Sequence, residues 1–270
     1  MAFVENQGAK IYWDEQGQGE PVLLIMGLGW ASALWHRTRP VLAARYRTIA
    51  LDNRGVGRSD VPPGPYPIAL MASDAASVLD AAGIESAHLF GISMGGMIAQ
   101  EFALQYPERV RSLILGCTAA GGPRAVRAEP EVLGVLTRRG LSPDEFAAII
   151  DPFIYDSATP RQRIKEDAAL RKQWWPNPAG YMAQFQGIIV WEAYSRLPQI
   201  TAPTLVIHGE TDRLVPPANG TLIAGRIRGA ELVMIPRASH IFPTDQPDAA
   251  HQAVLEFLAA QRNRKQRTEA

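Results

Sequence analysis

The sequence contains a single cysteine, Cys117, among 270 residues. One cysteine cannot form an internal disulfide, and it cannot supply a cysteine-based metal cluster. Because Cys117 ends the apolar run 113–116, we expect it to be a buried structural thiol rather than a nucleophile.

Net charge and long apolar runs are also lacking. Twenty-seven basic residues balance 27 acidic ones, so no overall field attracts nucleic acid or an anionic membrane surface. The longest uncharged apolar run, 22–35, is too short and glycine-rich for a bilayer span, which needs roughly 18 or more residues. Glu5 and Asn6 stand where a signal peptide would need an apolar segment. We therefore expect a cytoplasmic monomer or small homo-oligomer with a small-molecule partner, and neither a nucleic-acid nor a membrane partner.

The pattern of apolar segments indicates an α/β fold. Apolar runs predict strands at 11–14, 21–26, 48–51, 89–92, 110–115, 204–208 and 232–235, with helices at 70–82 and 248–260. The first two strands flank a glycine-containing turn at 16–19 and are predicted to form a hairpin. Strands that are apolar on both faces and alternate with helices favour a mostly parallel sheet covered on both sides.

Residues 88–100 combine a strand, a sharp turn and a helix in the sequence His-Leu-Phe-Gly-Ile-Ser-Met-Gly-Gly-Met-Ile-Ala-Gln. Gly91, Ser93 and Gly95 form the pattern G-x-S-x-G, in which small residues allow a serine to occupy a strained strand-to-helix turn. The helix that begins at Met94 directs its unpaired backbone N–H groups toward charge developing beside the serine. Ser93 is therefore the predicted nucleophile.

A serine nucleophile needs a base and an acid that holds the base in one tautomer. His240 lies just beyond the predicted strand that ends at Ile235, at the expected sheet edge, and is the predicted base. The loop after strand 204–208 offers Glu210 and Asp212. Asp212 is the predicted acid because it lies farther from the strand, toward the returning His240.

Attack on an ester carbonyl generates an oxyanion that needs aimed hydrogen-bond donors. The predicted donors are the N–H of Met94 and the N–H of Leu28, in the loop Gly27-Leu28-Gly29-Trp30. This chemistry needs no metal and no organic cofactor.

Between residues 121 and 198 the strand–helix alternation stops. Ser142-Pro143, Thr159-Pro160 and Asn177-Pro178 predict three helix starts there. We expect a helical cap at 121–198 inserted into a core of 1–120 and 199–270. Aromatic residues are frequent in this cap, and the predicted substrate contacts are Trp30, Trp175, Phe185 and Trp191.

With Ser93, Asp212, His240, the Gly27 loop and the octapeptide Asp-Asn-Arg-Gly-Val-Gly-Arg-Ser at 52–59, the chain resembles the α/β-hydrolase superfamily over nearly its whole length. The resemblance implies the α/β-hydrolase fold, with a core sheet of about eight strands flanked by helices and a helical cap after the sixth strand. Within the superfamily the chain is most similar to small bacterial esterases and lactonases, including 3-oxoadipate enol-lactonase-like and acyl-homoserine-lactone-degrading members. Many relatives have His-Gly at the oxyanion loop, where this chain has Met26-Gly27.

Several chemistries share this fold. A haloalkane dehalogenase or epoxide hydrolase would carry aspartate in place of Ser93. Carbon–carbon bond hydrolases of ring-cleavage products, cofactor-free perhydrolases and a slow-turnover ligand receptor with a retained triad stay open. Zero net charge and a tryptophan-rich cap favour a hydrolase of neutral, fairly apolar esters or lactones.

Overall fold

Eight strands form one sheet in the computed structural model, which describes the backbone of residues 2–269 and the side chains of residues 2–262. The strands are β1 Ala2–Asn6, β2 Ala9–Gln16, β3 Pro21–Ile25, β4 Arg47–Leu51, β5 Ala87–Ile92, β6 Val110–Gly116, β7 Thr204–Gly209 and β8 Glu231–Ile235. Their order across the sheet is β1-β2-β4-β3-β5-β6-β7-β8. Pairing is antiparallel from β1 to β4 and parallel from β4 to β8. The predicted mostly parallel sheet of about eight strands is confirmed.

The predicted hairpin between strands 11–14 and 21–26 is wrong. In the structure these strands are β2 and β3. β4 lies between β2 and β3, so these two strands are not paired. The hairpin of the structure joins β1 to β2, and its turn residues Gln7 and Gly8 have φ of 46° and 74°, the positive values that a type I′ turn needs. β3 is apolar on both faces, which is typical of an interior strand of a parallel sheet, and it pairs in parallel with β4 and β5.

Helices cover both faces of the sheet. The helices of the core are α1 Arg39–Ala43, α2 Ile68–Ala81, α3 Met94–Gln105, and, after the cap, α8 Ala218–Ala224, α9 Phe242–Asp245 and α10 Pro247–Glu269. Alternation along β3 shows why both faces need covering: Leu23 and Ile25 pack into the core with α2 and α3, whereas Val22 and Leu24 pack with α10 on the other face. Within the described part of the chain, no helix combines the length and the apolar character that crossing a bilayer requires.

Four helices separate β6 from β7, in the interval predicted to be a cap. They are α4 Pro130–Leu136, α5 Pro143–Ile154, α6 Arg161–Gln173 and α7 Pro178–Val190. Ser142 and Glu145 form the predicted capping box, and the side chain of Asn177 accepts from the first amides of α7. The remaining predicted start, at Thr159-Pro160, is displaced. The Thr159 hydroxyl donates to Asp245 at 2.6 Å instead of capping the helix, and α6 begins after Pro160.

Helix α7 contacts the core backbone directly through its small residues. A Cβ at Gly180 would collide with the carbonyl oxygen of Gly55, and one at Gly187 would collide with that of Tyr66. Between them, the carbonyl of Ala183 accepts from the Tyr66 amide at 3.0 Å. The helix therefore lies closer to the core than larger side chains would permit.

Candidate active site

Ser93 occupies the strained turn that the G-x-S-x-G pattern predicts. Its backbone lies at φ 58° and ψ −122° between β5 and α3, a conformation that costs energy for a residue other than glycine. Small neighbours are required here, because a Cβ at Gly91 would collide with the Gly95 carbonyl and one at Gly95 with the Ile25 carbonyl. The Ser93 amide donates to the carbonyl of Gly116 at 2.9 Å, which ties the turn to the end of β6.

Asp212 and His240 lie in direct contact. Asp212 Oδ2 is 2.8 Å from His240 Nδ1, and Asp212 Oδ1 accepts from the amides of Leu214 and Val215 at 2.9 and 2.8 Å. Burial alone would raise the pKa of Asp212, but the neighbouring His240 and His208 outweigh it and lower that pKa to about 2. Asp212 is therefore an ionised acceptor for the histidine, whereas Glu210 is exposed to solvent.

His208 makes one contact that its position in the sequence did not reveal. Its Nε2 lies 2.8 Å from the carbonyl oxygen of Val215, in the loop that follows β7. The same nitrogen lies 3.3 Å from Asp212 Oδ2. The spacing of four residues between His208 and Asp212 is the only sequence signal for this contact.

Cys117 lies behind these two residues and is fully buried. Its sulfur accepts from the Gly209 amide at 3.5 Å, and burial raises the pKa of the thiol well above its ordinary value. Cys117, Asp212 and His240 offer metal-ligand atoms within 4.8 Å of one another. Asp212 and His240 already share a hydrogen bond of 2.8 Å, with which a metal ion at this position would compete.

The loop between β3 and α1 lies against Ser93. Gly27 packs against the serine so closely that a Cβ there would lie 3.1 Å from the Ser93 Cβ. The amides of Leu28 and Met94, the predicted oxyanion donors, have no hydrogen-bond partner among the described residues. Both residues line the cavity that Ser93 faces.

Gln184 connects this loop to helix α7. Its Oε1 accepts from the Gly29 amide at 2.9 Å, and its Nε2 donates to the carbonyl of Arg54 at 2.7 Å. A second contact comes from Asn53, whose Nδ2 donates to the carbonyl of Met26 at 2.9 Å. Sequence reasoning missed Gln184, although it lies on the same face of α7 as Gly180 and Gly187.

A cavity of about 1300 Å³ lies between the cap helices and the sheet edge, and both Ser93 and His240 line it. Three of the four predicted substrate contacts, Trp30, Trp175 and Phe185, are on its walls. Trp191 is not, which corrects that prediction. Its indole is buried and donates to Glu101 Oε2 at 2.8 Å, because the carboxylate on α3 satisfies the N–H beneath the cap.

Four arginines also line the cavity, although the chain has no net charge. They are Arg127, Arg138, Arg139 and Arg171, and no aspartate or glutamate of the described residues joins them. Arg171 is buried and pairs with Asp151 at 2.7 Å, whereas the other three are exposed.

Comparison with known proteins identifies the class. The model of the family described as the alpha/beta hydrolase fold matches residues 20–247, and the chain belongs to this family. RutD of Azorhizobium caulinodans, provisionally named a carbamate hydrolase, is 32% identical over 264 residues, which cover 95% of this chain and 98% of that protein. The 2-hydroxy-6-oxo-6-phenylhexa-2,4-dienoate hydrolase of Burkholderia cepacia is 31% identical and covers 93% of this chain and 91% of its own. Among solved structures, the enol-lactonase from Burkholderia xenovorans LB400 superposes with a TM-score of 0.83 at 26% identity, covering 96% of this chain and 100% of that one.

Proposed function

We propose that this hydrolase cleaves carboxylic esters or lactones through a Ser93 acyl-enzyme. The observation that carries the proposal is the 2.8 Å contact of the ionised Asp212 with His240, on a cavity that His240 shares with Ser93. This arrangement supplies a nucleophile, a base and an acid in the order that the family uses.

The proposed reaction proceeds in two acyl-transfer steps. Because His240 Nδ1 bonds to Asp212, Nε2 is the nitrogen left to take the Ser93 proton. No hydrogen bond joins Ser93 Oγ and His240 within residues 2–262, and such contacts commonly tighten only when substrate binds. The Leu28 and Met94 amides hold the oxyanion, His240 returns the proton to the leaving oxygen, and water then releases the acid by the reverse sequence.

The walls of the cavity support an acyl substrate with a sizeable apolar part. Trp30, Trp175 and Phe185 offer aromatic surface beside Ser93. The volume of about 1300 Å³ exceeds the roughly 300–1000 Å³ of common ligand pockets. We propose that the cap at 121–198 sets the chain length that this space accepts.

Carbon–carbon bond hydrolysis is the second candidate. It is supported by the three exposed arginines of the cavity lining, Arg127, Arg138 and Arg139, which suit an anionic substrate. The Burkholderia cepacia relative is named for a substrate of that kind.

The test is a set of initial rates on p-nitrophenyl acyl esters and N-acyl homoserine lactones of increasing chain length, with Ser93→Ala as the blank. We expect many turnovers per protein and a chain-length optimum. Turnover of a ring-cleavage dienoate without turnover of esters would identify the protein as a carbon–carbon bond hydrolase. Release of about one equivalent of product per protein would indicate a receptor.

A further inference from the structure

The exposed cavity arginines flank one short helix of the cap. Arg127 precedes α4, and Arg138 and Arg139 follow the last residue of that helix. All three side chains are exposed and line the cavity. They therefore lie where the cavity opens to solvent, whereas Ser93, half-buried at the sheet edge, lies at its inner end.

The acidic residues of the same segment do not neutralise these arginines. Glu129 and Glu131 lie 2.9 and 3.9 Å from Arg213, whose side chain stacks 4.7 Å from the ring of Phe153. In residues 2–262, Arg127, Arg138 and Arg139 form no ion pair with a carboxylate. Surface charges of both signs are usually interspersed, so the cavity mouth carries a local excess of positive charge.

Apolar side chains form much of the cavity lining. Leu136, Phe146 and Trp175 line the cavity along with the arginines and Ser93, and Phe146 packs edge-on against Trp175 with ring centres 5.5 Å apart. A ligand that reaches from Ser93 to the mouth therefore meets apolar side chains and ends beside cations. Its chemistry is that of a chain with an acyl group at one end and an anion at the other.

We infer that the substrate is an ester or lactone whose chain ends in a carboxylate, and that Arg127, Arg138 and Arg139 bind this carboxylate at the cavity mouth. The inference rests on the ester or lactone hydrolase proposed above, and it replaces the expectation of a neutral substrate. Guanidinium groups match a carboxylate geometrically through paired N–H donors. Arg171 is not part of this group, because Asp151 already neutralises its charge.

The experiment measures binding without turnover, on full-length Ser93→Ala. Two intact ligands of equal length are titrated calorimetrically at low salt: the monomethyl ester of a medium-chain dicarboxylic acid, and the methyl ester of the matching fatty acid. We expect the carboxylate-bearing ester to bind about tenfold more tightly, because each exposed ion pair contributes a modest factor. This preference should shrink toward one as salt is added.

Two sets of variants distinguish binding by the three cavity arginines from a general effect of positive surface charge. In the Ser93→Ala background, combined Arg127→Gln, Arg138→Gln and Arg139→Gln should abolish the preference, and thermal melting checks that the exposed positions leave the fold intact. Arg124→Gln is the matched control, because Arg124 lies in the same segment and is exposed but does not line the cavity. Equal affinities in the parent, or a preference that survives the triple replacement, would overturn the inference. Rates of the wild type on neutral p-nitrophenyl esters test the proposed hydrolysis separately.

Discussion

Replacing Gln184 by Met tests whether helix α7 holds the proposed oxyanion loop, residues 27–30, in place. Gln184 is fully buried, and its side chain joins the Gly29 amide to the Arg54 carbonyl. Methionine has nearly the same length but makes neither bond. The change therefore removes the link between α7 and the loop that carries the Leu28 amide while filling most of the same volume.

The contacts set the size of the two expected effects. The buried Gly29 N–H and Arg54 C=O would each lose a partner at a cost of about 1–3 kcal/mol, so the free energy of unfolding should fall by about 2–6 kcal/mol. Complete loss of one oxyanion donor costs about 10²–10³ in kcat. Because the Leu28 amide would be displaced rather than deleted, we expect kcat/KM to fall by about 10- to 100-fold.

The informative assay compares a transition-state analogue with a ground-state ligand. A trifluoromethyl ketone forms a tetrahedral oxyanion on Ser93, and its inhibition constant should rise by the same factor as kcat/KM falls. The dissociation constant of the product acid should change much less. Gln173→Met is the control, since Gln173 is exposed at the end of α6. Equal weakening of both ligands would show that Gln184 supports the cavity in general, and the reasoning would be refuted.

Three further outcomes follow from the described contacts. Asp212→Asn should lower kcat by about 10⁴, by analogy with the serine protease triad, whereas the exposed Glu210→Gln should leave kcat nearly unchanged; a larger loss from Glu210→Gln in steady-state kinetics would reassign the acid. Burial raises the pKa of Asp245 to about 6, and its hydrogen bonds offset only part of this shift. Between about pH 4 and 6 the folded chain therefore holds a proton on Asp245 that the unfolded chain releases. The contribution of this group to the free energy of unfolding declines as pH rises through that window. Thermal melts of Asp245→Asn should show a flatter pH dependence there, and slopes equal to those of the wild type would contradict this. The buried Cys117 should react with Ellman's reagent only after denaturation, and rapid reaction of the native protein would argue against its burial.

Most of the correct predictions came from patterns within short stretches of sequence. The turn at Ser93 could be predicted because it needs a glycine two residues before and two residues after the serine, and this requirement lies within five residues of sequence. The interior strands are readable because a strand buried on both faces must be apolar throughout. Asp212 and His240 could be paired in advance because parallel strands end at one edge of the sheet, where their loops meet.

Features that depend on which elements meet across the fold were not accessible in this way. A glycine-containing turn between two strands is typical of a hairpin, but the turn at 16–19 instead allows β4 to insert between its flanking strands. Trp175 and Trp191 are both aromatic residues of the predicted cap, so the sequence alone does not tell them apart. In the structure Trp191 is buried and donates to Glu101, whereas Trp175 lines the cavity. The zero net charge favoured a neutral substrate, but a net charge says nothing about where the charged residues lie. It therefore did not reveal the arginines that line the cavity.

The close approach of α7 to the core bears on how this enzyme could be re-engineered. Exchanging whole caps between relatives is an attractive route to new specificity if the cap is an independent module. Here a transplanted cap would also need glycine opposite Gly55 and Tyr66, and a glutamine opposite Gly29. A chimera that kept α7 native and exchanged only the segment around α4 would alter the cavity entrance and keep the contact between Gln184 and the loop 27–30.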